Sequence, residues 1–428
     1  KDIRKKILYT LMILVIVRVG SLLPIPGVDT EYFSSLLSGI NTGDLSYLSA
    51  FTGGSFERMS LFALSITPYI TSSIIMQLLT IAIPKLEEMQ KEGEDGRKKI
   101  ASITRYVTIG LSLIESIAMA VGFGRSGLIK NSAQLSTLHY VVCIIVVVAA
   151  LTAGSAVLMW LGERITEKGV GNGISIVLLI NIISGMPSDF ATLYSTFVAP
   201  KTPAKGVLAA VIILAILIVM VVLVCFLQDG ERRIPVQYSQ KVSGRRTVGG
   251  QSTNIPLKVN TAGVMPIIFA SSLMQFPVII AQLFGKSYEW TRYLSSSYWC
   301  RVEAPKYSIG LLVYIVLLII FAYFYTSITF NPIEVADNLK KAGGVIPGIT
   351  PGKSTSEYLN KILNYIVFIG AVGLLIIALI PIMCTGFFNA SVSFGGTSII
   401  IIVGVVLETL KQIESQMCNR YYKGFLSE

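Results

Sequence analysis

Few side chains in this sequence could carry chemistry. There is one histidine, His139, so a histidine relay or a histidine metal cluster is excluded. The five cysteines are Cys143, Cys225, Cys300, Cys384 and Cys418. No CxxC pair occurs among them, so neither a zinc site nor a redox motif is supported. The stretch Gly348–Ser354, GITPGKS, has the look of a phosphate loop. It places three residues between the first glycine and Gly-Lys, where the motif needs four. Pro351 also removes an amide that would cradle phosphate. Charges deep inside apolar runs are limited to Arg18, Glu115 and Glu408. An ion-coupled transporter needs a connected set of such groups. Two isolated glutamates are expected to be satisfied locally, and Arg18 to snorkel to the nearby end of its run. The sequence therefore predicts no enzyme, no cofactor and no metal.

The elements that hold these residues are membrane spans. Charged residues make up 14% of the chain and hydrophobic ones 53%, whereas soluble domains carry about 25% charge. Repeated apolar runs of near 20 residues predict an all-α polytopic membrane protein. The alternating period of an outer-membrane barrel is absent. Ten transmembrane helices are expected, at about 7–23, 58–83, 103–124, 140–161, 171–187, 206–227, 261–283, 308–330, 360–383 and 395–413. Pro266 and Pro277 predict kinks in the seventh. Cys143 and Cys225 lie within spans as packing residues. The opening KDIRKKILYTLMILVIV is read as a retained first span, since no small-residue cleavage site follows.

The net charge of +11 is read as topology. Of the 35 Lys and Arg, 25 fall at the termini and in alternate loops and nine in the others. That bias puts both termini in the cytoplasm. Ribosomal RNA remains a second use for one or two basic loops. Ten spans divide into residues 1–200 and 201–428, five spans each. An odd number per half predicts inverted, pseudo-symmetric halves. Two long cytoplasmic loops, 229–260 and 331–358, suit docking partners.

The stretch Phe51–Leu79 organises the rest. It breaks at Gly53-Gly54 and continues as an apolar helix carrying Thr67, Pro68, Thr71, Ser72, Ser73 and Gln77. Polar groups at that depth need neighbours or a wet cavity. Helical spacing stacks Ile66, Ile70, Ser73 and Gln77, which reads as one wall of a channel. Two other classes are compatible with ten spans. A secondary transporter of a small solute needs a compact midplane site of paired polar groups. A structural scaffold would not need polar faces inside several spans.

Several long strings resemble the SecY family of bacterial protein-conducting channel subunits. They are LPIPGVD (Leu23–Asp29), LFALSITPYITSSIIMQLL (Leu61–Leu79), KEGEDGRKKI (Lys91–Ile100) and MWLGERITEKGVGNGISI (Met159–Ile176). GRRTVGGQSTNIPLKVNTAGVMPIIFASS (Gly244–Ser272), FNPIEVADNLKKAGGVIPGI (Phe330–Ile349) and FGGTSIIIIVG (Phe394–Gly404) complete the set.

The resemblance implies an hourglass pore between the halves, passing unfolded secretory chains and releasing apolar segments sideways into lipid. It implies a collar of Ile66, Ile70, Leu178, Ile268 and Ile401, and a plug over about 44–56 with Leu45, Leu48, Phe51, Gly53 and Gly54. The two glycines would serve as a hinge. Gln77, Asn172 and Ser272 would hold a lateral gate shut. Arg245, Arg246, Lys340, Lys341 and Lys353 would dock the motor SecA or the ribosome. SecE and SecG are the implied small subunits, signal sequences the implied ligands, and the bacterial plasma (inner) membrane the implied location. The family often has arginine before the Pro-Gly of the second loop, where this chain has Thr350. Lys353 nearby is the expected partial substitute.

Overall fold

The computed structural model describes residues 2–31, 33, 35, 52–124, 136–199, 203–238, 241–243, 246–248, 252–283, 289–295, 298–300, 305–388 and 396–423. In chain order the helices are α1 (Asp2–Leu22), α2 (Thr67–Ala82), α3 (Pro84–Lys91), α4 (Glu94–Phe123), α5 (Thr137–Lys168) and α6 (Gly173–Leu193). They continue with α7 (Pro203–Asp229), α8 (Met265–Leu283), α9 (Glu289–Leu294), α10 (Ile309–Thr329), α11 (Pro332–Lys341), α12 (Lys353–Phe388) and α13 (Gly396–Lys423). The strands are β1 (Glu231–Tyr238), β2 (Lys241–Ser243), β3 (Arg246–Val248), β4 (Ser252–Lys258) and β5 (Gly344–Val345).

Each expected span contains a long helix among the described residues. Six helical stretches are long and apolar enough to cross a membrane, and a seventh if the bent pair α2–α3 is one span. That pair turns by 105° where Pro84 opens α3. A shorter apolar stretch, Met265–Met274, lies in α8.

Three expectations are corrected. The sequence predicts a second span from residue 58, yet residues 53–66 form turns, with Ser60 bridged to Pro24, and α2 begins only at Thr67. Pro68 explains the start, because proline fits the first helical turn, where its missing N–H is no loss. The fifth span was ended at 187, but α6 runs through Pro187 to Leu193 and continues as a π-helical turn, Tyr194–Val198. The all-α reading also fails locally. Strands β4, β1 and β5 form an antiparallel sheet, with Ile234 opposite Ile255 and Gln237 opposite Val345. The two long loops are thereby joined in one small domain. Ile234, Val236, Leu257, Leu339, Ile346, Leu359, Ile362 and Ile366 form its core.

Helix packing falls into two sets. The first runs α4 on α5, α2 on α4, α5 on α6, and α1 on α5 and α6. The second runs α8 on α10, α10 on α12, and α13 on α7 and α12. Helices α6 with α13 and α4 with α8 connect the sets.

Candidate functional site

A cavity of about 480 Å³ opens at the sheet end of the molecule. Its walls come from both packing sets: α2, α6, α8, α10 and α13 all contribute. Near the mouth the lining is polar, with Gln77, Asn172, Gln228, Lys258, Asn260 and Glu408. Lys411 lies there too, its Nζ 2.6 Å from Asp229 Oδ1.

The far end is apolar. Ile70, Leu178, Ile268 and Ile401 line it, and no lining residue on α6, α8 or α13 lies deeper than these. The four pack into one cluster with Ile66, Val177, Phe269 and Val405. The five side chains expected to form a collar are therefore brought together, from α2 and its N-cap, α6, α8 and α13. Ile66 and Ile401 are each only 2% exposed. Deep fixed charge is lacking at the collar, and a narrow apolar constriction sheds water.

Beyond the collar lies the turn region 52–66. Its glycine pair has positive φ, +62° at Gly53 and +77° at Gly54. A Cβ on Gly53 would lie 2.6 Å from Ser184 Oγ, so the backbone there sits tight against α6, whereas a Cβ on Gly54 would meet nothing within 4 Å. Arg18 Nη1 and Ser184 Oγ both donate to Gly53 O, at 3.4 Å each. Half-buried Arg18 thus reaches from α1 to the turn region. Ser55 Oγ donates to Thr52 O at 2.6 Å and to Phe62 O at 3.1 Å. The region is tied back to the end of α1, with Ile25 N–H donating to Met59 O and Leu61 N–H to Leu23 O. Met59 and Ser65 hold φ of 42° and 52°. For non-glycine residues that conformation costs about 1–3 kcal/mol each, sustained by surrounding contacts. Of the expected plug residues, Leu45, Leu48 and Phe51 lie outside the described residues.

The polarity of α2 is largely satisfied within its own helix. Thr71, Ser72 and Thr80 donate to the carbonyls of Thr67, Pro68 and Met76. Ser73 and Gln77 instead face the cavity. Gln77 Oε1 and Asn260 Nδ2 are buried without a hydrogen-bond partner among the described residues. Asn172 caps α6, its side chain accepting from Ile174 N–H at 3.2 Å. Ser272 is half-buried in α8, away from the cavity lining. Glu408 stands exposed on the cavity wall. Glu115 is half-buried on α4 and makes no hydrogen bond or ion pair among the described residues, against the expectation of local satisfaction.

Of the docking residues, Lys340 and Lys341 are exposed on the last turn of α11, where positive charge suits the helix dipole. Lys353 is exposed, 4.0 Å from Glu357. Arg246 lies in β3, and Arg245 is outside the described residues. Cys143, Cys225, Cys300 and Cys384 are free thiols. Sequence reasoning missed Asn181 and Ser65, which meet below the collar at 3.0 Å. A lone asparagine inside the apolar run LLINII was the available signal.

Known proteins share this architecture and sequence. The sequence profile of the SecY family matches residues 60–410. Protein translocase subunit SecY of Streptomyces galbus is 44% identical over 440 residues, spanning 99% of this chain and 97% of its own length. The subunit of that name from Halalkalibacterium halodurans is 43% identical over 434 residues, with the same two coverages, 99% and 97%. A solved structure described as a protein conducting channel superposes with a TM-score of 0.63 at 17% identity, over 97% of this chain and 93% of its own. Sec61 in the canine ribosome–channel complex superposes at 0.59 with 16% identity, over the same shares, 97% and 93%.

Proposed function

The chain belongs to the SecY family, and on that footing we propose how its geometry moves polypeptide. It is a protein-conducting translocation channel. Unfolded secretory chains enter the polar cavity at the sheet end and pass the collar of Ile66, Ile70, Leu178, Ile268 and Ile401. The convergence of these five side chains where the cavity stops carries the reading. A polar mouth keeps an unfolded chain hydrated, and an apolar waist offers no charge to hold it.

The finer picture follows the same physics. Ten helices cross the bilayer as two inverted five-span halves, 1–200 and 201–428, forming an hourglass with the collar at its waist. The segment 44–56 plugs the outer side. Gln77, Asn172 and Ser272 border a lateral gate through which apolar segments leave into lipid. Interhelical hydrogen bonds in membranes are worth only ~0.6–2 kcal/mol, so partitioning of a signal sequence can open such a gate. Both termini face the cytoplasm of a bacterium, and the sheet domain projects there with Arg245, Arg246, Lys340, Lys341 and Lys353. The channel has no ATPase of its own, so SecA or a translating ribosome supplies the drive. SecE clamps the halves and SecG lies at the periphery. The channel structures related in fold include one bound to a ribosome, which supports the docking assignment.

The test is reconstitution with a secretory precursor and SecA. Ile268→Asn combined with Ile401→Asn wets the collar and raises resting ion conductance. Conductance equal to the parent's would overturn the collar assignment. Solute uptake without precursor transport would favour the transporter reading.

A further inference from the structure

Two elements that supply the collar also meet through a buried polar contact. Asn181 Nδ2 on α6 donates to Ser65 Oγ at 3.0 Å. Both residues are buried, at 2% and 3% exposure. Ser65 directly precedes Ile66, and Asn181 lies three positions beyond Leu178 on the same helix. Side chains three apart share a helix face. The bond therefore sits immediately behind two collar side chains.

Ser65 occupies the left-handed region, φ 52°, a costly backbone conformation for a non-glycine residue that surrounding contacts sustain, its N–H donating to Phe62 O at 2.9 Å and its Oγ accepting from Asn181. Its conformation sets the direction in which α2 leaves the turn, because Ile66 is the N-cap of α2 and Ile66 O accepts from the N–H groups of Tyr69 and Ile70. One turn further along α6, Ser184 grips the other end of the same turn region at Gly53 O, joined there by Arg18. Residues 53 and 65 are thus anchored to one face of α6, at Ser184 and Asn181. Asn181 Oδ1 is buried and has no partner among the described residues.

We infer that Asn181 is a positioning residue for the seal: its amide holds Ser65 in the left-handed conformation, and thereby keeps Ile66 and Ile70 closed against Leu178. The inference rests on the reading of the five apolar residues as a collar. When α6 moves, the bond breaks and both ends of the 53–65 region are released together. The wall carrying Ile66 then turns away, and the channel unseals.

The test measures resting ion conductance of the full channel complex in planar bilayers, for Ser65→Ala in the parent and in an Asn181→Ala background. In the parent, Ser65→Ala raises conductance about two- to tenfold, the shift that loss of one net hydrogen bond gives. In the Asn181→Ala background the same change adds less, because that bond is already gone. Equal effects in both backgrounds, or no effect in the parent, overturn the inference. Ser65→Gly suits the positive φ while lacking the hydroxyl, so it serves if the alanine variant folds poorly, and it should leak likewise. Thermal unfolding midpoints, followed in parallel, separate a leak caused by opening from general loss of structure. Ile268→Asn in the same bilayers separates the two levels of argument. If it fails to leak, the collar reading is wrong. If it leaks while Ser65→Ala does not, only the role of Asn181 is lost.

Discussion

At the scale of the residue, close approach decides more than chemistry. Gly154 on α5 faces the turn region so tightly that a Cβ there would meet Leu61 O at 1.9 Å, well inside contact distance. Gly154→Val should push that carbonyl away, destabilising the fold by about 1–3 kcal/mol, the usual range for overpacking. A lowered thermal unfolding midpoint in detergent would register it; an unchanged midpoint would mean the turn region yields freely. Gln77 illustrates the opposite case, a side chain whose polarity is not met. Its Oε1 is buried without a partner among the described residues. Leaving an acceptor so costs about 1–3 kcal/mol. Gln77→Leu removes that cost from the closed state, so a more hydrophobic signal sequence should be needed to open the gate. Transport assayed with precursors of graded signal hydrophobicity reads the shift, and an unmoved threshold would remove Gln77 from the gate. The collar residues themselves were not legible from spacing. An isoleucine facing a pore and one facing lipid have the same local pattern, and only the resemblance of long strings picked out Ile66, Ile70, Leu178, Ile268 and Ile401.

At the scale of the element, the helices were legible because apolar runs of bilayer length leave no other reading. The sheet was not. Strand β1 carries Glu231, Arg232, Arg233 and Pro235, and β4 carries Pro256 directly opposite Arg233. Charge and proline both argue against a strand. What pays for the pairing is tertiary: Ile234 and Val236 point inward onto α12, which no local window displays. The start of α2 was visible in principle, since Thr67-Pro68 is a helix-opening pair, but the apolar residues before it extended the apparent run. Helix α11 shows how a short helix in a long loop is ordered. Asn331 Oδ1 accepts from Ile333 N–H at 3.1 Å, and Pro332 occupies the first turn. Asn331→Ala should cost about 1 kcal/mol of helix stability. Amide hydrogen exchange across residues 333–341 should then accelerate, with the spans unaffected; unchanged protection would show that packing of Leu339, not the cap, holds the helix.

At the scale of the whole molecule, four apolar clusters are arranged in series. One fills the sheet domain, one surrounds the collar, one lies within the second packing set, and one lies beside the turn region. The helix α12 belongs to two of them. Leu359, Ile362 and Ile366 near its start are embedded in the sheet domain. Leu374, Ile377 and Ala378 further along pack with Ile267, Ala270, Ile399 and Ile400, all within two positions of Ile268 or Ile401 in sequence. At 1.5 Å per residue the stretch from Leu359 to Ala378, which precedes Pro381, is a rod of about 29 Å. Force applied to the sheet therefore has a stiff mechanical path to the two side chains on the far wall of the constriction. A motor that only pushes on the outside of the protein would, through this lever, also tilt the wall its cargo must pass, coupling thrust to aperture without touching the seal itself.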